Sequence, residues 1–312
     1  MKYRRLGGSG LKVSEISLGS WLTYGGYVER EHAVNAIKTA YDLGINFFDT
    51  ANVYEKGAAE ELVGKALKAY PRESYVLATK AFWPMGEGPN DRGLSRKHVI
   101  EQVNASLMRL GHEYVDIFYC HRHDPETPIH ETLRAIDDLI RQGKVLYVGV
   151  SEWQASQIAE ALGVADRYLL DRIVVNQPKY NMFDRYIEKE IMPLSERSGI
   201  GQVVFSPLAQ GLLTGKYTSA FDIPTDSRAA KIEWVRKGIT AERINQVKQL
   251  EVIAGDFGIS VGNLALAWIL RNSNVASALV GASRPEQVTE NANASGIELR
   301  EDIITQIEDI LK

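Results

Sequence analysis

The sequence predicts an α/β protein folded as a (β/α)8 TIM barrel with an N-terminal β-hairpin. Eight short runs of β-branched and aromatic residues alternate with segments whose apolar residues recur at helical spacing. The alternation repeats at intervals of roughly thirty residues, and a polar side chain stands at the end of every run. An open doubly wound sheet would usually have fewer strands and a G-x-G-x-x-G run opening a helix, which this sequence lacks.

Each element follows from a local pattern. Residues 3–6 and 12–14 flank a Gly/Ser run and predict the hairpin. The barrel strands are predicted at residues 15–21, 45–48, 75–79, 115–119, 145–150, 172–176, 202–205 and 276–280. The helices are predicted at residues 28–43, 58–69, 95–110, 129–142, 154–162, 186–198, 241–256, 261–271, 285–294 and 302–311.

One long segment, residues 209–240, interrupts the alternation before the eighth strand. It is rich in Gly, Pro, Ser and Asp and has only a weak helical period. A loop of this length inside a compact domain is usually functional or disordered. The 312 residues suit one barrel, and we expect residues 1–312 to form a single domain.

Composition excludes several classes of function. The formal net charge is −4, which gives no basic footprint for nucleic acid. No apolar run approaches the length of a membrane span, and the basic N-terminus is not followed by the apolar core of a signal peptide. The single cysteine, Cys120, indicates a reducing compartment. We therefore expect a cytoplasmic protein that binds neither nucleic acid nor membrane.

Polar residues stand at the ends of all eight predicted strands. In a barrel these ends share one mouth, where active sites are built. The residues are Ser20, Asp49, Lys80, His121, Ser151, Gln177, Ser206 and Ser283, and Tyr54 follows Asp49 by five positions.

Four of these side chains would form a proton-transfer device if they converge. A phenol such as Tyr54 has a pKa of about 10 and is a poor acid at neutral pH. A nearby Lys80 ammonium would lower that pKa, and Asp49 would hold the ammonium in place. His121 would orient a carbonyl group from the other side. None of these side chains supplies electrons, so a hydride would have to come from a cofactor.

Other interpretations of single residues remain open. Lys80 could form a Schiff base, as in barrel aldolases. Cys120 next to His121 could suggest a thiol nucleophile, although neighbours on a strand point to opposite faces. His121, His123 and Asp124 could bind a metal, but their spacing matches common sites poorly, and we predict no metal.

The sequence resembles the aldo-keto reductases over nearly its full length, and most of all the branch that includes the voltage-gated potassium channel beta subunits. The resemblance rests on residues 48–54, 77–80, 121–125, 148–151, 176–181, 206–217, 281–283 and 290–291. It implies NADP(H)-dependent reduction of aldehydes or ketones to alcohols. Tyr54 would be the general acid, assisted by Lys80, Asp49 and His121.

The resemblance also implies a set of cofactor-binding residues. Ser151, Glu152 and Gln177 would hold the nicotinamide carboxamide, and Phe205 would stack on the nicotinamide ring. Lys216 and Arg228, in the segment before the eighth strand, would cover the pyrophosphate and adenosine. The adenosine half would lie on Ser283, Gln287, Glu290 and Asn291, with Ser283 and Arg284 near the 2′-phosphate. The remaining contacts would come from Gly19, Ser20, Trp21, Ser206, Pro207, Leu208, Gly211 and Gly281. A cationic, donor-rich end favours NADP over NAD.

Three positions bear on how far the resemblance carries. Glu152 stands where the family often has Asn or Arg, and an ionised Glu cannot donate a hydrogen bond. Phe205 replaces the more usual Tyr or Trp, which keeps the stacking but loses the polar tip. The channel subunits carry Asn at the position of His121, so His121 favours an active reductase. A redox-sensing, cofactor-binding subunit with little turnover remains the alternative.

The substrate pocket is predicted from aromatic residues after the first, third and fifth strands. These are Trp21, Tyr24, Phe82, Trp83 and Trp153. They favour an apolar or aromatic aldehyde or ketone over a sugar phosphate. The sequence leaves the physiological substrate, the reaction direction and the oligomeric state open, a homo-oligomer included.

Overall fold

A computed structural model of the protein confirms the barrel. It describes residues 1–21, 24, 29–219, 222–225 and 227–312. Eight parallel strands, β3 to β10, form a closed barrel in which β10 pairs with both β9 and β3. A separate antiparallel pair, β1 and β2, forms the predicted N-terminal hairpin.

The described residues form short strands and intervening helices in the expected order. The strands are β1 Tyr3–Arg5, β2 Lys12–Ser14, β3 Ile16–Gly19, β4 Phe47–Asp49, β5 Val76–Ala81, β6 Val115–Cys120, β7 Val145–Ser151, β8 Ile173–Gln177, β9 Gly201–Phe205 and β10 Val275–Val280. The helices are α1 Arg30–Asp42, α2 Ala58–Leu67, α3 Arg96–Leu110, α4 Ile129–Arg141, α5 Ala155–Tyr168, α6 Ile191–Ser198, α7 Arg228–Lys231, α8 Glu233–Lys237, α9 Ala241–Asp256, α10 Val261–Leu270, α11 Pro285–Ala292 and α12 Glu301–Leu311.

The hairpin closes the N-terminal end of the barrel. Leu6 and Val13 are fully buried and belong to the same apolar cluster as Phe47 and Val76, which begin their strands. The turn after β1 passes so close to the chain before β9 that a Cβ atom at Gly7 would lie 2.4 Å from a backbone oxygen. Gly7 also has a φ of +58°, so only glycine suits this position. The open end of the barrel is therefore the C-terminal one.

Two apolar layers hold the barrel together. The inner layer fills the barrel, with residues such as Ile117 and Val203 pointing inward. The outer layer lies between the strands and the surrounding helices. Helix α4 illustrates this layer, because its buried Leu133, Ile136 and Leu139 recur every three residues on one face. Since all six residues of β5 and of β6 are buried, the strand ends can hold polar groups away from water.

The structure moves several predicted boundaries by a few residues. β4 and β5 run further than expected, so Asp49 and Lys80 lie within strands rather than after them. The helix predicted at residues 154–162 continues to Tyr168, and the one predicted at 186–198 divides into a 3-10 turn, Tyr186–Glu188, and α6. The predicted first helix begins two residues late, and residue 28 lies outside the described residues.

The segment before β10 contains short helices rather than a continuous loop. A 3-10 segment, Ala209–Thr214, is followed by α7 and α8. These helices have four and five residues, which explains why the sequence shows only a weak period there. Among the described helices none alone has the length and apolarity to cross a membrane; α9 and α10 pass that test only jointly, with a bend of 88° between them.

Candidate active site

A cavity of about 990 Å³ opens at the C-terminal mouth of the barrel. At one end it is lined by Tyr54, Trp83 and His121. It continues past Phe205 and reaches the start of α11, where Gln287 lies. Six of the eight strand-end residues therefore face one long groove, as the barrel topology predicts, whereas Ser20 and Lys80 are buried outside its lining.

Lys80 and Asp49 form a buried ion pair beneath this groove. The Lys80 side chain is fully buried and that of Asp49 is 2% exposed. Lys80 Nζ donates to Asp49 Oδ1 and, at 2.9 Å, to the carbonyl oxygen of Thr50. Asp49 Oδ2 in turn accepts a hydrogen bond of 2.9 Å from Gln177 Nε2. The pair is held by neighbouring strands, because β4 and β5 are hydrogen-bonded to each other.

Tyr54 is carried by a tight turn directly after β4. Its hydroxyl oxygen lies 3.4 Å from Lys80 Nζ. The next three residues, Glu55, Lys56 and Gly57, all have positive φ, at 47°, 52° and 96°. The turn packs closely against α3, since a Cβ atom at Gly57 would lie 2.5 Å from Cδ of Arg109. A strained backbone of this kind persists only where its surroundings fix it, so the position of Tyr54 is well determined.

His121 faces Tyr54 across the end of the groove. The two rings meet edge to face, with 5.7 Å between their centres. The His121 ring is also 6.4 Å from that of Trp83. Nδ1 of His121 is buried and has no hydrogen-bond partner within the described part of the chain. Asp49, Tyr54, Lys80 and His121 thus converge as the sequence predicts.

Burial dominates the ionisation of this cluster. It lowers the pKa of the Lys80 ammonium and raises that of the Asp49 carboxyl, while the contact between them opposes both shifts. Burial also lowers the pKa of His121 well below 6.5, and the charges of Lys80 and Arg122 lower it further. The imidazole is therefore neutral.

The pKa of Tyr54 corrects the sequence-based expectation. We expected Lys80 to lower the pKa of the phenol. Instead burial raises the pKa of Tyr54 well above 10.0, the charge of Asp49 raises it further, and only Arg122 opposes these effects. The reason is that burial of the hydroxyl group disfavours the charged phenolate, and this effect is the largest one acting on Tyr54. Tyr54 is accordingly a protonated hydrogen-bond donor at neutral pH.

Most residues predicted to bind a cofactor line the groove. Among the described residues, all of that set contribute to the lining except Ser20 and Glu152. Ser20 is buried and donates to Thr50 Oγ1 over 2.9 Å. Glu152 turns away, because its φ is +58° and its carboxylate accepts hydrogen bonds from Lys179 N and Tyr186 Oη, both at 2.7 Å. The Glu152 side chain therefore holds the loop that contains Lys179 and Tyr186 and does not face the groove.

The predicted aromatic residues divide in a similar way. Trp21, Tyr24 and Trp83 line the cavity, and Trp21 lies edge to face with Phe205 at 6.2 Å. Trp153 is absent from the described lining; it is 2% exposed and packs against His123 at 5.0 Å. The turn at Glu152 directs the next side chain into the core. Phe82 packs against Trp83 at 5.1 Å.

The far end of the groove is rich in polar and cationic groups. Ser283 N and Oγ both donate to Gln287 Oε1, at 2.8 and 3.1 Å. Arg228 Nη1 donates to Gln210 Oε1, and Gln210 Nε2 donates to Ser206 Oγ at 2.6 Å. Lys216 and Arg284 also line this part. An elongated groove with apolar walls near Phe205 and cations beyond it fits a dinucleotide, whose phosphates need such donors.

Sequence reasoning assigned no role to several lining residues. The clearest is Arg122, which directly follows His121 and lines the cavity at the Tyr54 end. Gln210 and Ser227 line the groove near Arg228. Arg122 and Gln210 lie in residues 121–125 and 206–217, two of the stretches that carry the resemblance to the aldo-keto reductases, and this could have identified them. Nothing in the sequence marked Ser227.

The alternative chemistries receive little support from the geometry. Lys80 Nζ makes three contacts, which suits a charged ammonium rather than a free amine nucleophile. Cys120 is buried, and burial raises the pKa of its thiol to about 12, which disfavours a thiolate. No cluster of three potential metal-binding side chains occurs among the described residues.

Comparison with known proteins identifies relatives over nearly the whole chain. Residues 15–312 match the model of the aldo/keto reductase family. A probable voltage-gated potassium channel subunit beta from Arabidopsis thaliana is 46% identical over 94% of this chain and 91% of its own. A protein of the same description from Oryza sativa subsp. japonica is 42% identical over 100% of this chain and 97% of its own. A putative voltage-gated potassium channel subunit beta from Schizosaccharomyces pombe is 46% identical over 99% of this chain and 93% of its own.

Proposed function

The chain belongs to the aldo/keto reductase family, and we propose that it reduces aldehydes or ketones to alcohols with NADPH as the reductant. Family membership by itself supports an oxidoreductase activity. The observation that carries the finer proposal is the convergence of Tyr54, Lys80, Asp49 and His121 at one end of a groove of about 990 Å³. Such a cluster can donate a proton to a carbonyl oxygen.

In this proposal Tyr54 is the general acid. Its raised pKa keeps the phenol protonated and ready to donate as the carbonyl oxygen gains negative charge. Lys80, 3.4 Å from the phenol oxygen, stabilises the negative charge that remains there after proton transfer. Neutral His121 donates a second hydrogen bond to the carbonyl oxygen, which orients the substrate. Asp49 and Gln177 hold Lys80 in place.

The groove supports a nicotinamide dinucleotide as the cofactor. When bound, NADPH supplies the hydride, which no protein side chain provides. Ser151 and Gln177 line the end of the groove near Tyr54, where the carboxamide would bind, with the Phe205 ring beside it. Lys216 and Arg228 would hold the pyrophosphate, and the serine and arginine at positions 283 and 284 would hold the 2′-phosphate. A 2′-phosphate is a dianion, so this cationic end favours NADP over NAD.

The test combines a carbonyl panel with one conservative variant. We expect the absorbance of NADPH to fall when aromatic aldehydes are added. In a control reaction with NADH in place of NADPH, the absorbance should fall much more slowly. In Tyr54→Phe, which keeps the ring but removes the donor, kcat should drop by about 10²-fold or more. Its Kd for NADPH, measured by fluorescence titration, should match that of the wild type. Undiminished reduction by Tyr54→Phe would remove Tyr54 from the mechanism.

The names of the relatives favour a second candidate function. Because they are described as channel beta subunits, the chain could be a cofactor-binding subunit that reports redox state to a partner protein. The two candidates differ in turnover: a subunit would bind NADPH tightly but oxidise it with aldehydes at a rate too slow to measure. A stopped-flow trace of bound NADPH after aldehyde is added separates them directly.

A further inference from the structure

Arg122 places a cation at the substrate end of the groove. The residue is half-buried and lines the cavity together with Tyr54, Trp83 and His121. Its guanidinium carbon lies 5.6 Å from the centre of the Trp83 ring. From this position its charge opposes the rise in the pKa of Tyr54 and adds to the fall in the pKa of His121.

Most of the donor capacity of Arg122 is unused. Nη1 donates to the carbonyl oxygen of His121 over 2.5 Å, and within the described residues this is its one hydrogen bond. No carboxylate of the described chain lies within 4.0 Å of the guanidinium. A guanidinium has five N–H donors in a planar fork, which suits a carboxylate. The bond to the His121 carbonyl oxygen therefore accounts for one N–H group of the guanidinium, and the other N–H groups remain available to a ligand.

The other charged residues of the groove do not duplicate Arg122. The cationic side chains Lys216, Arg228 and Arg284 lie toward the dinucleotide end that the proposed function assigns to phosphates. Lys231, which also lines the groove, is exposed and lies in α7 with Arg228. Of the acidic lining residues, Asp49 is paired with Lys80, whereas Glu29, Glu55 and Glu290 are exposed and therefore screened by solvent. The substrate end thus has an unpaired cation beside aromatic walls.

We propose that Arg122 selects carbonyl substrates whose second functional group is a carboxylate, carried on an apolar or aromatic body. The proposal rests on the proposed reductase function. The carbonyl would meet Tyr54 and His121, the body would lie against Trp83, and the carboxylate would bind the guanidinium. The carbonyl carbon gains the hydride as NADPH becomes NADP⁺, the oxygen gains the Tyr54 proton, and solvent restores that proton. The carboxylate takes no part in the reaction.

The experiment compares two substrates that differ in one charge, 4-formylbenzoate and its methyl ester. The wild type should have a kcat/KM at least tenfold higher for the acid, since hydrogen bonds to charged groups contribute on the order of ten- to a hundredfold. Arg122→Gln should abolish this preference, and Arg122→Lys should retain part of it. Arg92→Gln removes a cation that is 62% exposed and absent from the described lining, so it should keep the wild-type ratio.

The ratio of the two substrates separates selectivity from catalysis. Loss of the Arg122 charge would slow both substrates by its effect on Tyr54, but only a lost contact to the carboxylate changes the ratio. Equal kcat/KM for acid and ester in the wild type, or an unchanged ratio in Arg122→Gln, would overturn the proposal while leaving the reductase function intact.

A binding measurement covers the case in which neither aldehyde is reduced. We would titrate the NADP⁺-loaded protein with 4-(hydroxymethyl)benzoate and with the corresponding amide in a calorimeter. Tighter binding of the carboxylate in the wild type, lost in Arg122→Gln, supports the anion site even if the reductase function fails. Equal affinity for acid and amide overturns the anion site.

Discussion

The Tyr54 hydroxyl oxygen lies 3.4 Å from Lys80 Nζ, although 26 positions separate the two residues along the chain. The pairing of β4 with β5 brings them together, because Asp49 ends one strand and Lys80 lies near the end of the other. The ammonium therefore contacts both the carboxylate and the phenol. Any change to the ion pair should alter the stability of the barrel as well as its proposed chemistry.

The first prediction concerns this buried pair. Lys80→Met leaves the Asp49 carboxylate buried without its cation, and Asp49→Asn leaves the ammonium without its anion. Removing one partner of a buried ion pair costs about 3–5 kcal/mol. The double variant should cost less than the sum of the two, by about 0.5–3 kcal/mol, because neither charge is then left unpaired. Urea unfolding of the four proteins measures the coupling; strictly additive losses would contradict it.

The second prediction concerns the strained turn after Tyr54. Lys56 is exposed and has a φ of 52°, a conformation that costs a non-glycine residue about 1–2 kcal/mol. Lys56→Gly should therefore stabilise the protein by about 0.5–1 kcal/mol, after the greater freedom of glycine in the unfolded chain is counted. Lys65→Gly is the matched control, since this exposed lysine lies inside α2 and its change should destabilise by about 1 kcal/mol. Thermal or urea unfolding should give opposite signs for the two variants.

The sequence predicts the barrel and the meeting of polar residues at its mouth because both depend on patterns with a fixed period. Strands that alternate with helices favour a parallel barrel, and the C-terminal ends of parallel strands meet at one mouth. That reasoning places Asp49, Lys80 and His121 together without knowledge of any side-chain contact. Tyr54 follows from its short distance in sequence from Asp49.

The remaining details depend on local backbone geometry and on sums of charges, which no periodic pattern encodes. Glu152 has a positive φ, so its side chain points away from the groove and Trp153 is buried. The pKa of Tyr54 depends on the burial of its hydroxyl group and on the distances to Asp49 and Arg122, none of which the sequence shows. The sequence places Arg122 directly after His121, but only the structure shows that its side chain lines the cavity beside Trp83.

A third prediction concerns acid stability. Asp124 accepts hydrogen bonds from Leu94 N at 2.7 Å, Thr127 Oγ1 at 2.7 Å and Glu126 N at 2.9 Å. Burial raises the pKa of its carboxyl, but these bonds together with the charge of His123 outweigh that effect and hold the pKa below 3.8 in the folded state. The stabilisation is thus present above the unfolded pKa and is lost as the pH falls through the folded value. Asp124→Asn should cost about 1–3 kcal/mol at pH 7 and progressively less below about pH 4. A difference in unfolding free energy that does not change with pH would contradict this account.

The last prediction concerns the charge of His121 during turnover. Burial and the cations Lys80 and Arg122 lower its pKa well below 6.5, so the imidazole stays neutral throughout the range in which histidine normally titrates. The kcat/KM for a neutral aldehyde should therefore show no ionisation near pH 6.5. His121→Asn, which cannot titrate, should lower kcat/KM by about tenfold or more but leave the shape of the profile unchanged between about pH 5.5 and 8. An acidic limb near pH 6.5 that is present in the wild type and absent from His121→Asn would show instead that the ring takes up a proton, and the neutral-donor role would have to be abandoned.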